Sequence, residues 1–150
     1  MKKLFALVLM LLPISAMAAL PEIQSIADNY KLTDNVTIVD LPMDVILKIT
    51  GEQAEGEGVT NLIVISCKDA TITSDISKRT QKVITSYNLT LVSNINDSNG
   101  SIKIYTKNVG GKITEVIVLA EGGDGLGLIS ISGKMAQSTV DNIVAQLGIM

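Results

Sequence analysis

Apolar residues recur at the spacing of an amphipathic helix in four parts of the chain. The clearest stripe occupies positions i, i+3, i+4 and i+7 and consists of Ile23, Ile26, Ala27 and Tyr30. Similar spacing predicts helices over 73–88 and from about Gln137 to Leu147. Pro42 suits a first helical position, so a further short helix is expected from Pro42 to about Ile49.

Polar residues at the ends of these segments indicate where two helices begin. Thr73 or Ser74 is expected to cap the helix over 73–88. Ser138, followed three residues later by Asp141, resembles a capping box for the last helix. Three basic residues of the 73–88 helix face away from its apolar stripe and are expected to be solvated: Lys78, Arg79 and Lys82.

Runs rich in β-branched residues alternate with the helices and predict strands. NVTIVDL, 35–41, has strand composition, and the apolar run 61–66 indicates a strand covered on both faces at the centre of a sheet. Four further strands are predicted at 89–95, 101–107, 113–120 and 127–132. This order implies an α+β fold, with a mixed, mostly antiparallel sheet and helices packed on one face.

Turn residues separate the last four strands. Asn99-Gly100 is a hairpin signal, and the segment 108–111 contains a second turn. EGGDGLG, 121–127, precedes a strand, whereas a dinucleotide-binding loop is followed directly by a helix. A Walker loop is also excluded, because its Gly-Lys-Ser/Thr sequence is absent. We therefore expect a hairpin turn here, with Gly127 at a bulge or a close backbone approach.

The N-terminus, MKKLFALVLMLLPISAMAALPE, has the layout of a secretory signal peptide. Lys2 and Lys3 precede a short apolar core, and small residues precede an expected cleavage site after Ala18. The expected organisation is a signal peptide over 1–18 and a single α+β domain over 19–150. The mature protein is expected to be periplasmic or secreted, with no transmembrane span, because the apolar core is too short to cross a bilayer.

Charge and composition exclude several classes of function. Removing Lys2 and Lys3 from the 12 basic residues leaves 10 against 15 acidic residues, a net charge of −5. Scattered negative charge disfavours binding to nucleic acid or to an anionic membrane. The chain contains no histidine, which removes the Ser-His-Asp triad and most zinc sites.

The remaining candidates for chemistry are few. Cys67, the only cysteine, ends an apolar run and is expected to be a buried core residue. The glutamates of the predicted loop 51–58 lack the spacing of a calcium site. A carboxylate pair for glycoside hydrolysis stays open, although aromatic residues make up only 3% of the chain. We assign no catalytic, cofactor-binding or metal-binding residue, and we expect no cofactor.

The stretch GSIKIYTKNVGGKITEVIVLAEGGDGLGLISISGKM, 100–135, resembles the C-terminal signature of a family of small exported bacterial domains of unknown function. The signature includes the GGKI turn and the strand GLISISGK. GVTNLIVISC and the following helix also fit, so the resemblance covers about 35–135. Many relatives carry a lipid-anchor cysteine, which this chain lacks. The family has no defined catalytic residues, and the resemblance implies an envelope location and a non-enzymatic role.

We therefore expect an exported envelope binding or interaction module without catalytic activity, whose partner is an envelope protein or a small ligand. Two alternatives stay open: a regulatory envelope-stress component acting through a protein partner, and a carboxylate-dependent hydrolase. A convergent pair of buried carboxylates in a deep pocket would favour the hydrolase. A shallow surface with an exposed apolar patch would favour the other two. The sequence does not name the ligand, the partner or the oligomeric state.

Overall fold

The computed structural model describes residues 20–41, 58–123 and 125–146. In chain order its elements are α1 (Pro21–Tyr30), β1 (Val36–Leu41), β2 (Gly58–Cys67), α2 (Ala70–Ser86), β3 (Thr90–Asp97), β4 (Gly100–Val109), β5 (Lys112–Gly122), β6 (Gly125–Met135) and α3 (Gln137–Gln146). The predicted signal peptide, the predicted helix after Pro42, nearly all of the predicted loop 51–58 and the end of the last predicted helix lie outside the described residues.

The six strands form one sheet in the order β1-β2-β6-β5-β4-β3. All five pairings are antiparallel, so the predicted mostly antiparallel sheet is antiparallel throughout. Strands β3 to β6 form a meander, and β6 also pairs with β2. The α+β class is confirmed. Strand β2 is covered on both faces as predicted, but it lies one position in from the edge, while β5 and β6 occupy the centre.

Side-chain alternation divides the core between the two faces of the sheet. On one face, α1 and α2 cover a cluster that includes Ile63, Ile117 and Leu128. On the other face, Val140 of α3 packs in a second cluster with Ile131. The expectation of helices on one face therefore holds for α1 and α2. Helix α3 packs on the other face, because the strand residues that alternate with those of the first cluster are also apolar and need cover.

The hairpin turns lie where glycines in the sequence predicted them, except that the β3–β4 turn is displaced by one residue. Asp97 pairs with Gly100, so Ser98 and Asn99 form the β3–β4 turn, one residue earlier than Asn99-Gly100 predicts. The Asp97 carboxylate accepts hydrogen bonds from the backbone N–H groups of Asn99 (2.7 Å) and Gly100 (3.1 Å), which fixes this turn. In the β4–β5 turn, Gly110 and Gly111 both have positive φ, as a type I′ turn requires.

The third hairpin confirms the predicted turn in EGGDGLG. Gly122 pairs with Gly125 at the ends of β5 and β6, and Gly123 between them has a φ of 56°. Gly127 does not mark a bulge, since it stays in register with Ser66 and Ala120. A Cβ at Gly127 would make only ordinary contact with the Ala120 Cβ at 3.8 Å. The register shifts lie at the other end of the sheet, near Asn61 and Glu115.

Two helices begin earlier than their predicted caps. Helix α2 begins at Ala70, and the Asp69 side chain caps it by accepting a hydrogen bond from the Ile72 N–H at 2.9 Å. Thr73 and Ser74 therefore lie inside the helix. Helix α3 begins at Gln137, so Ser138 lies within its first turn and is not the N-cap.

Candidate functional site

A row of polar side chains crosses the face of the sheet that α1 and α2 cover, near one end of the strands. Glu115 on β5 lies opposite Lys107 on β4 and Ser132 on β6, and Ser132 lies opposite Asn61 on β2. Ile117, two residues after Glu115, belongs to the cluster beneath α1 and α2, so alternation places the four polar residues on that same face. We call Asn61, Ser132, Glu115 and Lys107 the polar row.

Glu115 is the electrostatic centre of the polar row. Its Oε2 accepts a hydrogen bond from the Ser132 Oγ at 2.7 Å. Burial raises the pKa of Glu115 to about 7, although the Ser132 hydrogen bond and the charge of Lys107 both act to lower it. Near neutral pH, therefore, a large fraction of Glu115 carries a proton.

Tyr87, at the C-terminus of α2, connects the polar row to α1. Its hydroxyl donates a hydrogen bond to the Glu22 Oε2 at 2.9 Å, and its ring centroid lies 5.6 Å from the Lys107 Nζ. The hydrogen bond to Glu22 raises the pKa of Tyr87, and burial and the charges of Glu22 and Glu115 raise it further. Tyr87 thus stays a neutral hydrogen-bond donor between two carboxyl groups.

Two buried oxygens beside Glu115 have no hydrogen-bond partner among the described residues. They are the Asn61 Oδ1 and the Ser130 Oγ, and Ser130 is only 1% exposed. Ser130 lies opposite Ile63 and Ile117, one position along the sheet from the polar row. These two oxygens make this part of the interior more polar than the aliphatic core around it.

The polar row does not provide a pair of catalytic carboxylates. Glu121 shares its strand and face with Glu115 but lies six residues away, about 20 Å along an extended strand. Glu22 is exposed, unlike Glu115. Among the described residues no group of three or more cysteine, aspartate or glutamate side chains could hold a metal ion. The polar row therefore contains one carboxyl group, that of Glu115.

The sequence did not identify the polar row. The usable signal was Glu115 itself, which stands within KITEVIVL where a strand with both faces covered offers no solvated position. The partners of Glu115 depend on register, because Lys107 and Ser132 are distant in sequence and meet it only across neighbouring strands. Cys67 is buried as predicted, at 1% exposure, and its Sγ accepts a weak hydrogen bond from the Asp69 N–H at 3.4 Å.

The predicted solvated basic face of α2 is only partly confirmed. Lys78 and Lys82 are exposed, but Arg79 is half-buried. The Arg79 guanidinium lies 3.7 Å from the Asp75 carboxylate and donates a hydrogen bond to the Ser25 Oγ at 3.3 Å. Arg79 therefore ties α2 to α1, beside a shallow cavity of about 240 Å³ between the two helices.

Strand β3, at the edge of the sheet far from β1, presents an exposed apolar surface. Among the strands that the structure describes, β3 pairs only with β4, and none of its residues is buried. Its three large apolar side chains are well exposed, Leu91 by 46%, Val92 by 57% and Ile95 by 43%. Val109, at the end of β4, is 55% exposed. Together these four residues form what we call the β3 edge.

A shallow groove of about 310 Å³ runs from the β3 edge across the face opposite α1 and α2. Ile95 and Ile102 line it together with glycines of three strands, and polar side chains contribute as well: Asp97, Asn99, Ser101 and Glu121. The β3–β4 turn approaches the end of β5 so closely here that a Cβ at Gly122 would lie 2.2 Å from the Asn99 carbonyl oxygen. Gly122 therefore serves close packing of the backbone.

Comparison with known proteins identifies the family to which the chain belongs. No described helix is long and apolar enough to cross a membrane. No curated protein matches the chain. Residues 30–143 match a family described as a domain of unknown function, DUF4252. Because this match covers more than half of the 150 residues, the chain belongs to that domain-of-unknown-function family.

Proposed function

We propose that the protein is an exported module of the bacterial envelope that binds a partner and does not catalyse a reaction. The observation that carries this proposal is the β3 edge, where Leu91, Val92 and Ile95 are exposed along one strand and Ile95 lines a shallow groove. Several exposed apolar side chains on one strand are typical of interaction sites. A free strand edge adds unpaired backbone groups, which can bind an extended segment of another chain.

The polar row supports the non-enzymatic part of the proposal. A hydrolase that uses two carboxylates holds them about 5–10 Å apart around the bond to be cleaved. Burial is sufficient to account for the raised pKa of Glu115, since the hydrogen bond from Ser132 and the charge of Lys107 act to lower it. The groove beside β3 is shallow, and the two carboxylates that line it, Asp97 and Glu121, already accept hydrogen bonds from the Asn99 N–H and the Ser77 hydroxyl.

Export is tested by the mass of the protein recovered from the cells that produce it. The proposed signal peptide predicts a chain that begins at Ala19 and is found in the periplasmic or secreted fraction. An intact chain beginning at Met1 in the cytoplasm would contradict this part of the proposal.

Partner binding is tested by capture from envelope extract with the purified tagged protein. The double variant Val92→Lys/Ile95→Lys places charge on the β3 edge at two exposed positions, so it should fold and lose the specifically captured proteins. Leu32→Lys is the matched control, because Leu32 is 97% exposed and lies outside the β3 edge. Equal capture by the wild type and the double variant would refute a role for this edge.

A further inference from the structure

The two edges of the sheet differ in how well they are protected against pairing with another strand. Strand β1 is six residues long and carries Asp40 near its end. Strand β3 is eight residues long, TLVSNIND, and contains no proline, lysine, arginine or glutamate. Edge strands are commonly protected by charged residues, proline or bulges. The only such features of β3 are a register shift between Leu91 and Ser93 and the terminal Asp97.

The segment Ser93–Asp97 is regular. It pairs residue by residue with Ile104 to Gly100 of β4, and its other edge has no strand partner among the described residues. Ile95 points to the groove face, where it lies opposite Ile102. Asn94 and Asn96, on either side, point to the other face of the sheet.

We propose that two copies of the chain pair through Ser93–Asp97, antiparallel, about a two-fold axis at Ile95, so that two six-stranded sheets become one continuous sheet. The inference rests on the proposed function, because it names a second copy as a partner of the β3 edge. A two-fold axis between antiparallel strands places one residue opposite its own copy, and every other pairing follows from that residue.

The register centred on Ile95 is self-complementary. It pairs Ile95 with Ile95 of the second copy, Asn94 with Asn96, and Ser93 with Asp97. Apolar groups thus meet apolar groups, amides meet amides, and a hydroxyl meets a carboxylate, with no like charges opposed. An axis at Asn94 would instead place Ile95 opposite Ser93, and an axis at Asn96 would place it opposite Asp97.

The area available indicates a weak dimer. Pairing through five residues buries less surface than stable dimers do, so we expect a Kd on the order of 10–100 µM. Sedimentation velocity over a concentration series should show a monomer converting to a dimer in this range. Leu32→Lys, which alters a fully exposed apolar residue outside β3, should leave the series unchanged.

Substitutions that place a charge at the proposed two-fold axis give the sharpest test. Ile95→Lys and Ile95→Glu each place two like charges opposite one another, so each variant alone should bind itself at least about tenfold more weakly. An equimolar mixture should form a heterodimer again, because lysine then faces glutamate. Circular dichroism and thermal melting of each variant establish that both are folded. Failure of the mixture to associate would overturn the inference.

A cysteine scan tests the register. Under mild oxidation Ile95→Cys should form an intermolecular disulfide efficiently, while Asn94→Cys and Asn96→Cys should react more slowly because neither faces its own copy. Native Cys67 is 1% exposed and does not compete. Equal rates at all three positions would overturn the register centred on Ile95.

The inference and the proposed function can fail separately. If the wild type stays monomeric at millimolar concentration while Val92→Lys/Ile95→Lys still loses its captured envelope proteins, self-pairing is refuted and partner binding is supported. If the dimer forms with the predicted register and capture is identical for the wild type and the double variant, self-pairing is supported and the envelope partner is refuted.

Discussion

Strands β6 and β3 contain similar kinds of apolar residue and have opposite environments. Strand β6 lies between β2 and β5, and its Leu128 and Ile131 are completely buried. Strand β3 has one neighbour, and Ile95 is 43% exposed. The difference shows that position in the sheet, more than residue type, decides which apolar side chains hold the fold together and which stay exposed to solvent.

The largest expected effect comes from truncating the same kind of side chain in the two strands. Leu128→Ala in β6 leaves a cavity between the sheet and its helices and should lower the free energy of unfolding by about 2–5 kcal/mol. Ile95→Ala in β3 should lower it by less than about 1 kcal/mol, because much of that side chain already contacts water. Urea unfolding of both variants at monomeric concentration measures the contrast. Similar losses would contradict it.

The pH dependence of stability should come mainly from the interior strands. The folded-state pKa of Glu115 is raised to about 7 from an ordinary 4.5, so folding favours the protonated form. The stability that protonated Glu115 contributes is fully present below pH 4.5 and is lost as pH rises through 7. The free energy of unfolding should fall by about 3 kcal/mol in total over this range. Unfolding free energies measured between pH 5 and 8.5 test this direction.

Two matched variants on β5 separate Glu115 from the other titrating groups. Glu115→Gln keeps an acceptor for the Ser132 hydroxyl and carries no charge, so its stability should fall less between pH 5 and 8.5 than that of the wild type. Glu121→Gln leaves Glu115 in place and should retain the wild-type loss. If Glu115→Gln loses as much stability as the wild type, Glu115 is not the source.

A smaller effect is expected where strands β4 and β5 approach each other. The Cβ of Gly122→Ala would lie 2.2 Å from the Asn99 carbonyl oxygen, so backbone must shift, at a cost of about 1–3 kcal/mol. Gly127→Ala on the neighbouring strand should cost less than about 1 kcal/mol, since its Cβ meets only the Ala120 Cβ at 3.8 Å. Thermal melting of the two variants compares them, and equal losses would argue against close strand approach as the cause.

The smallest effect concerns thiol reactivity and leaves stability unchanged. Cys67 of β2 is 1% exposed, so a thiol reagent should modify the native protein slowly and the unfolded protein fast. In the Ile95→Cys variant the added thiol should react rapidly, because the Ile95 side chain is 43% exposed. Rapid labelling of Cys67 in the folded wild type would contradict the burial of β2.

Local pattern was sufficient to predict the described helices and strands. The i, i+3, i+4 spacing gave α1, and positive-φ glycines gave the β4–β5 turn, because each depends on residues close together in the chain. The start of α2 was misplaced, since Asp69, two residues after the end of β2, serves as the cap that Thr73 or Ser74 was expected to provide. Helix termini depend on one or two hydrogen bonds, and a short polar residue on either side can supply them.

The polar row could not be predicted, for a different reason. The environment of Glu115 is set by Ser132 and Lys107, and these residues meet only when strand order and register are both known. The same holds for the β3 edge. TLVSNIND has the composition of an ordinary strand, and only its place at the end of the order β1-β2-β6-β5-β4-β3 makes it a free edge.

The pairing of β6 with β2 has a consequence for how the chain folds. Each pairing from β3 to β6 joins neighbours in sequence, whereas Ile63 of β2 pairs with Ser130 of β6, 67 residues later. Closing so long a loop costs more chain entropy than closing a hairpin, so the meander should assemble first and the β1–β2 hairpin should dock last. The sheet cannot be completed before β6, which begins at Gly125, is available. A chain that emerges N-terminus first from the ribosome therefore cannot complete its sheet until the residues that follow Gly125 have emerged as well.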